Sequence, residues 1–436
     1  RSIMISSRFG SKSREELEAL QLKRLQDTCW RVYSLVPHYK KKFDEQNIHP
    51  KDIQSMQDLA NLPFTKKQDL RDNYPFGLFS VSTDQVVRIH SSSGTTGKPT
   101  VVGYTAEDMK LWNEVMMRVY LMAEVSAKDI VHNAYGYGLF TGGLGFHTAA
   151  EELGAAIVPS GAGFTSRQIM LMRDFGATVL ACTPTFALHL AEVAQNEGFD
   201  LHKDFKLRAG VFGAEPVSAG MKEEIAKIWN IKYHETYGLS EVIGPGVSAN
   251  CAYTDTLHVM EDHFYPEVIN PETEEVLPYG ERGELVLTTL TKQAIPLIRY
   301  RTGDLTVLHP EPCRCGRTLV RMDSIVGRAD DMLIIGGVNV FPSQVEHVLS
   351  QLEDLSLNYV IIADKKGHLD KMEIMVEVND DVNIDSIGEM ENLKKKIEKE
   401  LQNHLYINTK VKLVAHKTLE RSMGKAVRVI DKRTED

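Results

Sequence analysis

Between residues 86 and 240 short apolar runs alternate with amphipathic stretches of helical spacing. "DIVHNAY", "AIVPS", "TVLACTP" and "LRAGVFGAEP" read as strands, and "FHTAAEELGA", "SRQIMLMRDFGA" and "FALHLAEVAQNEG" read as the helices between them. Alternation of this kind predicts a largely parallel sheet covered by helices. Ligands of such sheets sit beyond the C-terminal ends of the strands. Gly-rich turns fall at those ends, in "SSSGTTG", "YGYG", "GAEP" and "TYGLSE", and they favour a binding cleft there.

The flanking segments have other rhythms. Upstream, "EELEALQLKRLQDTCWRVYSLV" places Leu20, Leu22, Leu25, Cys29, Trp30 and Val32 near helical spacing, which predicts a packed helix. From about 250 to 325 strands and tight turns dominate, as in "GERGELVLTTLTKQAIPLIRYRTGD", and a small β subdomain fits. After "GRADD" the order is strand, helix, two strands, helix and strand, the pattern of a ferredoxin-like α+β domain. Within it Ser343 and Glu346 have capping-box spacing, and Met372, Ile374, Val376 and Val378 share one strand face. The following helix carries Met390, Leu393, Ile397, Leu401 and Leu405. The expected fold is α/β: a large N-terminal domain over residues 1–328, with parallel sheets, helices and the β subdomain, then a small C-terminal domain over 329–436.

Composition adds exclusions. A chain of 436 residues that is 42% hydrophobic and 25% charged is that of an ordinary soluble globular protein with a large core. A net charge of −10 without a basic stripe argues against nucleic acid as a partner, and "KKK" at 394–396 reads as a solvated helix face. No run of about 18 apolar residues points to a membrane. "RSIMISSRFG" lacks the apolar stretch of a signal peptide, so the cytoplasm is expected. Five cysteines in so long a chain are no disulfide framework.

Two constellations carry candidate chemistry. "HSSSGTTGKPTVVGYT" sets Ser92, Ser93, Gly94, Thr95, Thr96, Gly97 and Lys98 between two predicted strands, "QVVRIH" and "TVVGY". The Walker pattern fails, since Ser92 stands where its first glycine belongs and Pro99 follows Lys98. A phosphate held here would depend on backbone N–H groups, hydroxyls and the lysine charge, without a helix dipole. A linker and a plain hairpin turn are the competing readings. Separately, Cys313 and Cys315 form a C-x-C, and Cys251 lies seven residues before His258. Three thiolates and one imidazole are the number and type for a closed tetrahedral Zn²⁺ site of structural purpose, with His263 as the alternative to His258.

In their order along the chain, "LPFTKKQDLRDNYPFGLF", the hydroxyl-rich loop, "YGLFTGGLGFH", "GAEP", "ETYGLSE", "RYRTGD", "GRADDMLIIGGVNVFPSQVE" and "SMGKAVRV" resemble the adenylate-forming acyl-CoA synthetases, and specifically the phenylacetate-CoA ligase family. The resemblance implies a two-step reaction. A carboxylate first attacks the α-phosphate of ATP and expels pyrophosphate, and the thiol of CoA then attacks the acyl adenylate. It further implies that the loop from Ser92 to Lys98 grips the β and γ phosphates. Glu241 reaches Mg²⁺, and Gly213, Ala214, Glu215 and Pro216 line the adenine pocket with His234, Glu235, Thr236 and Tyr237. Asp304 accepts from the ribose hydroxyls, Arg328 contacts ribose or phosphate, and Asp330 is the hinge on which the C-terminal domain swings. Lys425 spans the attacking carboxylate and the α-phosphate. The family's upstream proline and threonine are replaced here by Glu420 and Ser422. Tyr135, Phe140, Ala214 and Pro245 surround the acyl group, a setting for phenylacetate or another aryl acetate. Lys67 matches a family lysine without an assigned role, and a homodimer is compatible with the resemblance. The rival readings are an adenylate former that serves a carrier protein or amine, a nucleotide sensor without chemistry, and a scaffold. Retention of Glu241, Asp304 and Lys425 counts against the sensor.

Overall fold

The computed structural model describes residues 12–91, 99–325, 327–329, 333–336, 338–366, 369–421 and 427–434. The predicted phosphate loop at 92–98, the predicted hinge residue Asp330, Lys425 and the N-terminal segment read for targeting lie outside them. By its internal contacts the chain divides into two units. One takes Arg1–Cys182, His202–Ala214 and Ile231–Ser324, and the other Thr183–Leu201, Glu215–Asn230 and Ile325–Asp436.

The first unit opens with helices α1 (Arg14–Leu35), α2 (Pro37–Glu45) and α3 (Lys67–Asp72). Ser13 starts α1 through a capping box: its Oγ accepts from the Glu16 N–H at 3.2 Å, and Glu16 Oε2 accepts from the Ser13 N–H at 3.0 Å. Leu17, Gln21, Leu25, Thr28, Cys29 and Val32 form the buried stripe of α1. Trp30, expected on that stripe, is 46% exposed. One residue is about 100° of helix, so Trp30 turns away beside Cys29 and instead meets the His49 ring edge-on at 5.1 Å.

Strands β1 (Val86–Ser91) and β2 (Val101–Thr105) then pair antiparallel and flank the predicted phosphate loop. Helix α4 (Ala106–Met122) follows β2 directly. After it come β3 (Ile130–Asn133), α5 (Gly142–Leu153), β4 (Ala156–Val158), α6 (Thr165–Asp174), β5 (Val179–Cys182), β6 (Ala209–Phe212) and β7 (Lys232–Leu239). Neighbours in the order β4-β3-β5-β6-β7 are parallel, as the alternating pattern predicts. All four residues of both β5 and β6 are buried, which is what a strand covered on both faces requires.

The strand-rich stretch contributes β8 (Ile243–Ala249), β9 (Leu257–Val259), β10 (Phe264–Ile269), β11 (Arg282–Thr289), β12 (Tyr300–His309) and β13 (Arg321–Met322). These pair antiparallel and continue from β7, so that one sheet runs β10-β11-β12-β13-β9-β8-β7-β6-β5-β3-β4. Its antiparallel half carries a buried ion pair: Arg299 donates to Glu267 at 2.9 and 3.0 Å and also to the carbonyls of Ala60 and Leu62.

The second unit contains α7 (Pro184–Asn196) and α8 (Ala219–Trp229), joined where Trp229 Nε1 donates to the Ala187 carbonyl at 2.9 Å. It continues with the hairpin β14 (Leu333–Ile335) and β15 (Val338–Val340), then α9 (Pro342–Ser350), β16 (Leu355–Lys366), β17 (Leu369–Val378), α10 (Ile387–Leu405), β18 (Thr409–Val414) and β19 (Val429–Asp431). The four-stranded sheet has the order β18-β17-β16-β19. The predicted first strand, turned back at Gly336 (φ +56), becomes the separate hairpin, and β19 closes the sheet beside β16. Met372, Ile374, Val376 and Val378 lie in one core cluster with Leu393, Ile397, Leu401 and Leu405 of α10.

The predicted capping box at Ser343 is corrected. Pro342 is the first residue of α9, which makes Phe341 the cap, and the Phe341 N–H is answered by Gln344 Oε1 at 3.1 Å. Glu346 is buried instead and accepts from the Ser218 N–H and the Tyr359 hydroxyl. No helix among the described residues is long and apolar enough to cross a membrane.

Candidate active site

The predicted nucleotide residues of the first unit that are described lie just after β6, along β7, in the turn between β7 and β8, and on β12. At the end of β6, Gly213 lies against β7 so closely that a Cβ would stand 2.4 Å from the Thr236 carbonyl. Only glycine fits there, and the chain then turns through Ala214 at φ +75. Along β7 the period of two sends His234 and Thr236 to the buried face and Glu235 and Tyr237 to a half-exposed one. The Tyr237 hydroxyl donates to Asp304 Oδ2 at 2.5 Å, so two residues 67 apart in sequence meet. The Glu235 carboxylate accepts from Ser324 Oγ at 2.6 Å. His234 is kept neutral, its pKa pulled down to about 4 by burial. Glu215 and Arg328 belong to the second unit. There the Glu215 carboxylate accepts from the Thr185 N–H at 2.6 Å in the first turn of α7, where a negative charge meets the helix dipole.

Beneath the turn that carries Glu241 lies a brace of buried charges that sequence reading misses. Asp108, in the first turn of α4, accepts from the N–H groups of Thr105, Gln293 and Ala294 at 3.0, 2.7 and 2.9 Å. Lys292 beside it is buried, donates to the Val242 carbonyl at 3.1 Å and stands 4.3 Å from the centre of the Tyr104 ring. Burial pulls the Lys292 pKa down to about 8, against the Asp108 charge. The brace thus ties β2, which follows the predicted phosphate loop, to the residue next to Glu241. Its only sequence trace is a lone Lys in "TLTKQAIP", which nothing distinguishes from a surface lysine.

The residues predicted to surround the acyl group lie after β3, before α5, after β6 and on β8. Tyr135 is buried just past β3, its ring stacked on Phe146 of α5 at 4.7 Å and 5°. Pro245 follows a cis peptide bond, and its carbonyl accepts from Trp112 Nε1 at 2.9 Å. Phe140 is 47% exposed. Phe146 and Trp112, both buried, are the partners of Tyr135 and Pro245, a pairing hidden in sequence because aromatic residues on helices read as core. Lys67 is exposed at the start of α3.

The cysteine cluster is built from β8, β9 and the turn after β12. The ligand atoms of Cys251, His258, Cys313 and Cys315 all lie within 4.8 Å of one another. Cys251 Sγ and Cys313 Sγ are 3.8 Å apart, and Cys315 Sγ and His258 Nε2 are 3.6 Å apart. Gly316 (φ +86) lets the turn close, with its N–H donating to the Cys313 carbonyl at 3.0 Å. The His258 pKa is pulled down to about 3, by burial first and then by Arg317 and Arg321, which keeps a lone pair on the imidazole. The alternative ligand His263 belongs elsewhere: its Nδ1 meets Thr291 Oγ1 at 2.9 Å and its Nε2 lies 3.4 Å from Glu114. Arg118, donating to Glu114 and Asp262, already supplies a cation to that second group.

Comparison with known proteins places this architecture. The AMP-binding enzyme family matches residues 14–290, and the AMP-binding enzyme C-terminal domain matches 337–433. A phenylacetate-coenzyme A ligase of Aromatoleum evansii is 47% identical over 97% of this chain and 96% of its own. The chain belongs to the phenylacetate-coenzyme A ligases of the AMP-binding enzyme family. Other members include the phenylacetate-coenzyme A ligases of Thermus thermophilus, 46% identical over 99% of this chain and 100% of that one, and of Escherichia coli, 47% identical over 96% and 95%. Among solved structures, 2-hydroxyisobutyryl-CoA ligase in the postadenylation state in complex with R3-HIB-AMP is similar with a TM-score of 0.92, at 28% identity over 98% of this chain and 92% of that one.

For this ligase the brace makes a measurable prediction. The unfolded chain holds the Lys292 proton to about 10.5 and the folded chain only to about 8. Between those values the unfolded state binds more protons, so folding stability rises with pH through that window and is insensitive to this group below it. Urea unfolding of the wild type and of Lys292→Met, from about pH 7.5 to 10.5, should show the stability of the wild type rising relative to that of the variant, other titrating groups being common to both. Parallel pH curves would mean that Lys292 titrates as an ordinary lysine.

Proposed function

We propose that this ligase joins an aryl acetate, phenylacetate first, to coenzyme A, with ATP cleaved to AMP and pyrophosphate. The observation that carries the reading is identity of 46–47% to phenylacetate-coenzyme A ligases across nearly the whole chain. The stacked rings of Tyr135 and Phe146, and Trp112 bonded to the Pro245 carbonyl, support the reading by supplying aromatic surface of the kind a flat ring on a short carboxylate arm requires.

In the first step the carboxylate oxygen bonds to the α-phosphorus and the bond to pyrophosphate breaks. Lys425 bridges the two anions, so that their repulsion does not oppose the approach. Residues 92–98 receive the β and γ phosphates. Tyr237 and Asp304, already bonded, face the adenosine, with Asp304 accepting from the ribose. Glu241 would hold Mg²⁺, a hard cation suited to one carboxylate plus phosphate oxygens, which spreads the phosphate charge. In the second step the CoA sulfur attacks the acyl carbon and AMP leaves, after residues beyond the hinge at Asp330 have turned. On this reading the functional boundary lies near residue 328.

A panel of carboxylic acids, read by CoA-dependent AMP release, should give phenylacetate the highest kcat/KM. Lys425→Ala should lose adenylate formation by at least about 100-fold, yet still convert a supplied phenylacetyl adenylate to thioester. Absence of AMP release with every arylacetate ends the reading, and equal loss of both steps ends the role of Lys425.

We further propose that Cys251, His258, Cys313 and Cys315 hold one structural Zn²⁺. Two sulfurs bound tetrahedrally at about 2.3 Å stand about 3.8 Å apart, and sulfur and nitrogen about 3.6 Å. The spacings of 3.8 and 3.6 Å in the cluster fit that geometry and are far too long for a disulfide. Metal analysis of purified protein should find about one zinc per chain, and Cys313→Ser should lower both zinc content and melting temperature. Zinc-free protein with an unchanged melting temperature would refute the site.

A further inference from the structure

The chain leading to Lys425 is anchored by charge. Glu377 on β17 is fully buried. Its Oε1 accepts from the Lys417 N–H at 3.0 Å and from Arg421 at 3.0 Å, and its Oε2 accepts from the Leu419 N–H at 2.8 Å and from Arg421 at 2.6 Å. A single carboxylate therefore shapes residues 417–421. The same guanidinium donates to both oxygens of Glu192 on α7, each at 3.1 Å, and His416 Nε2 lies 3.3 Å from Glu192. Beside this clamp is a cavity of about 650 Å³ bordered by Thr185, His189, Glu192, Tyr359, Arg421 and Arg428. On the far side of residues 422–426 the chain is fixed again, where the Ile361 N–H donates to the Arg428 carbonyl at 2.8 Å.

The two carboxylates differ in origin. Glu377 and Arg421 both fall in the stretch matched by the C-terminal domain family, and Glu192 falls in the stretch matched by the AMP-binding family. A turn of one stretch against the other between half-reactions would carry the Arg421–Glu377 pair along intact and break the pair with Glu192. We infer that Glu377 and Arg421 are positioning residues that set residues 417–421, the approach to Lys425, and that Glu192 is the partner that holds this approach for adenylate formation alone. The inference rests on the two-step reaction proposed above.

The test is to compare half-reactions. In Glu192→Ala, phenylacetate-dependent exchange of pyrophosphate into ATP should slow about tenfold, while thioester formation from supplied phenylacetyl adenylate and CoA changes less than about twofold. Glu192→Gln, which keeps an acceptor for the guanidinium, should recover part of the loss, and both variants should melt close to the wild type because Glu192 is partly solvated. Arg421→Lys, lacking the planar fork, should fall in the same direction. A merely structural tie would slow both half-reactions equally or lower the melting temperature; either result, or no change in exchange, overturns the inference while leaving the proposed function standing. A wild type that shows neither half-reaction removes both.

Discussion

The site depends on one buried carboxylate and the lysine beside it. Asp108 gathers three backbone N–H groups from two separated segments, and Lys292 spans from that point to the carbonyl next to Glu241. Buried charges are tolerated only when paired and hydrogen-bonded. Here the pairing is shared among a carboxylate, a carbonyl and an aromatic face, which leaves the turn at Glu241 few ways to move. Rigidity of this kind is what a site needs when it must meet the charge of a polyphosphate without reorganising.

Elsewhere the same principle is used differently. The pair of Arg299 and Glu267 is enclosed within the antiparallel half of the sheet and serves only to hold strands and loops. Glu192 and Arg421 border a cavity, where water can replace a lost partner, while Glu377 is fully buried. An ion pair at such an edge can open at low cost, and one in the core cannot. Burial thus separates charges that fix the fold from charges that can take part in a change of arrangement.

Much of the fold was readable from pattern. The alternation of apolar runs and amphipathic stretches gave the parallel strands and their helices, and the period of two on β17 gave its core face. Failures came where local chemistry has two solutions. Ser343 and Glu346 have the spacing of a cap, but Pro342 takes the first helical position and moves the cap of α9 back two residues, to Phe341. Trp30 has an apolar ring at the edge of the stripe, and a single step of helix rotation exposes it. Of the candidate site, Gly213, Tyr237, Glu241 and Asp304 could be named from motifs, while Lys292, Asp108 and Trp112 could not, because the partners that mark them lie 50, 185 and 133 residues away.

The sequence by itself determined which segments become strands and helices, where glycine must stand, and which residue types are available for phosphate, metal and an aromatic acid. These follow from local sterics and from the periodicity with which side chains alternate between core and solvent. Only the tertiary structure decided that His258 and not His263 joins the three cysteines, that Tyr237 bonds Asp304, and that Glu192 and Glu377 share one arginine. Such pairings depend on distances between groups far apart in the chain, and those distances exist only once the strands have been placed side by side.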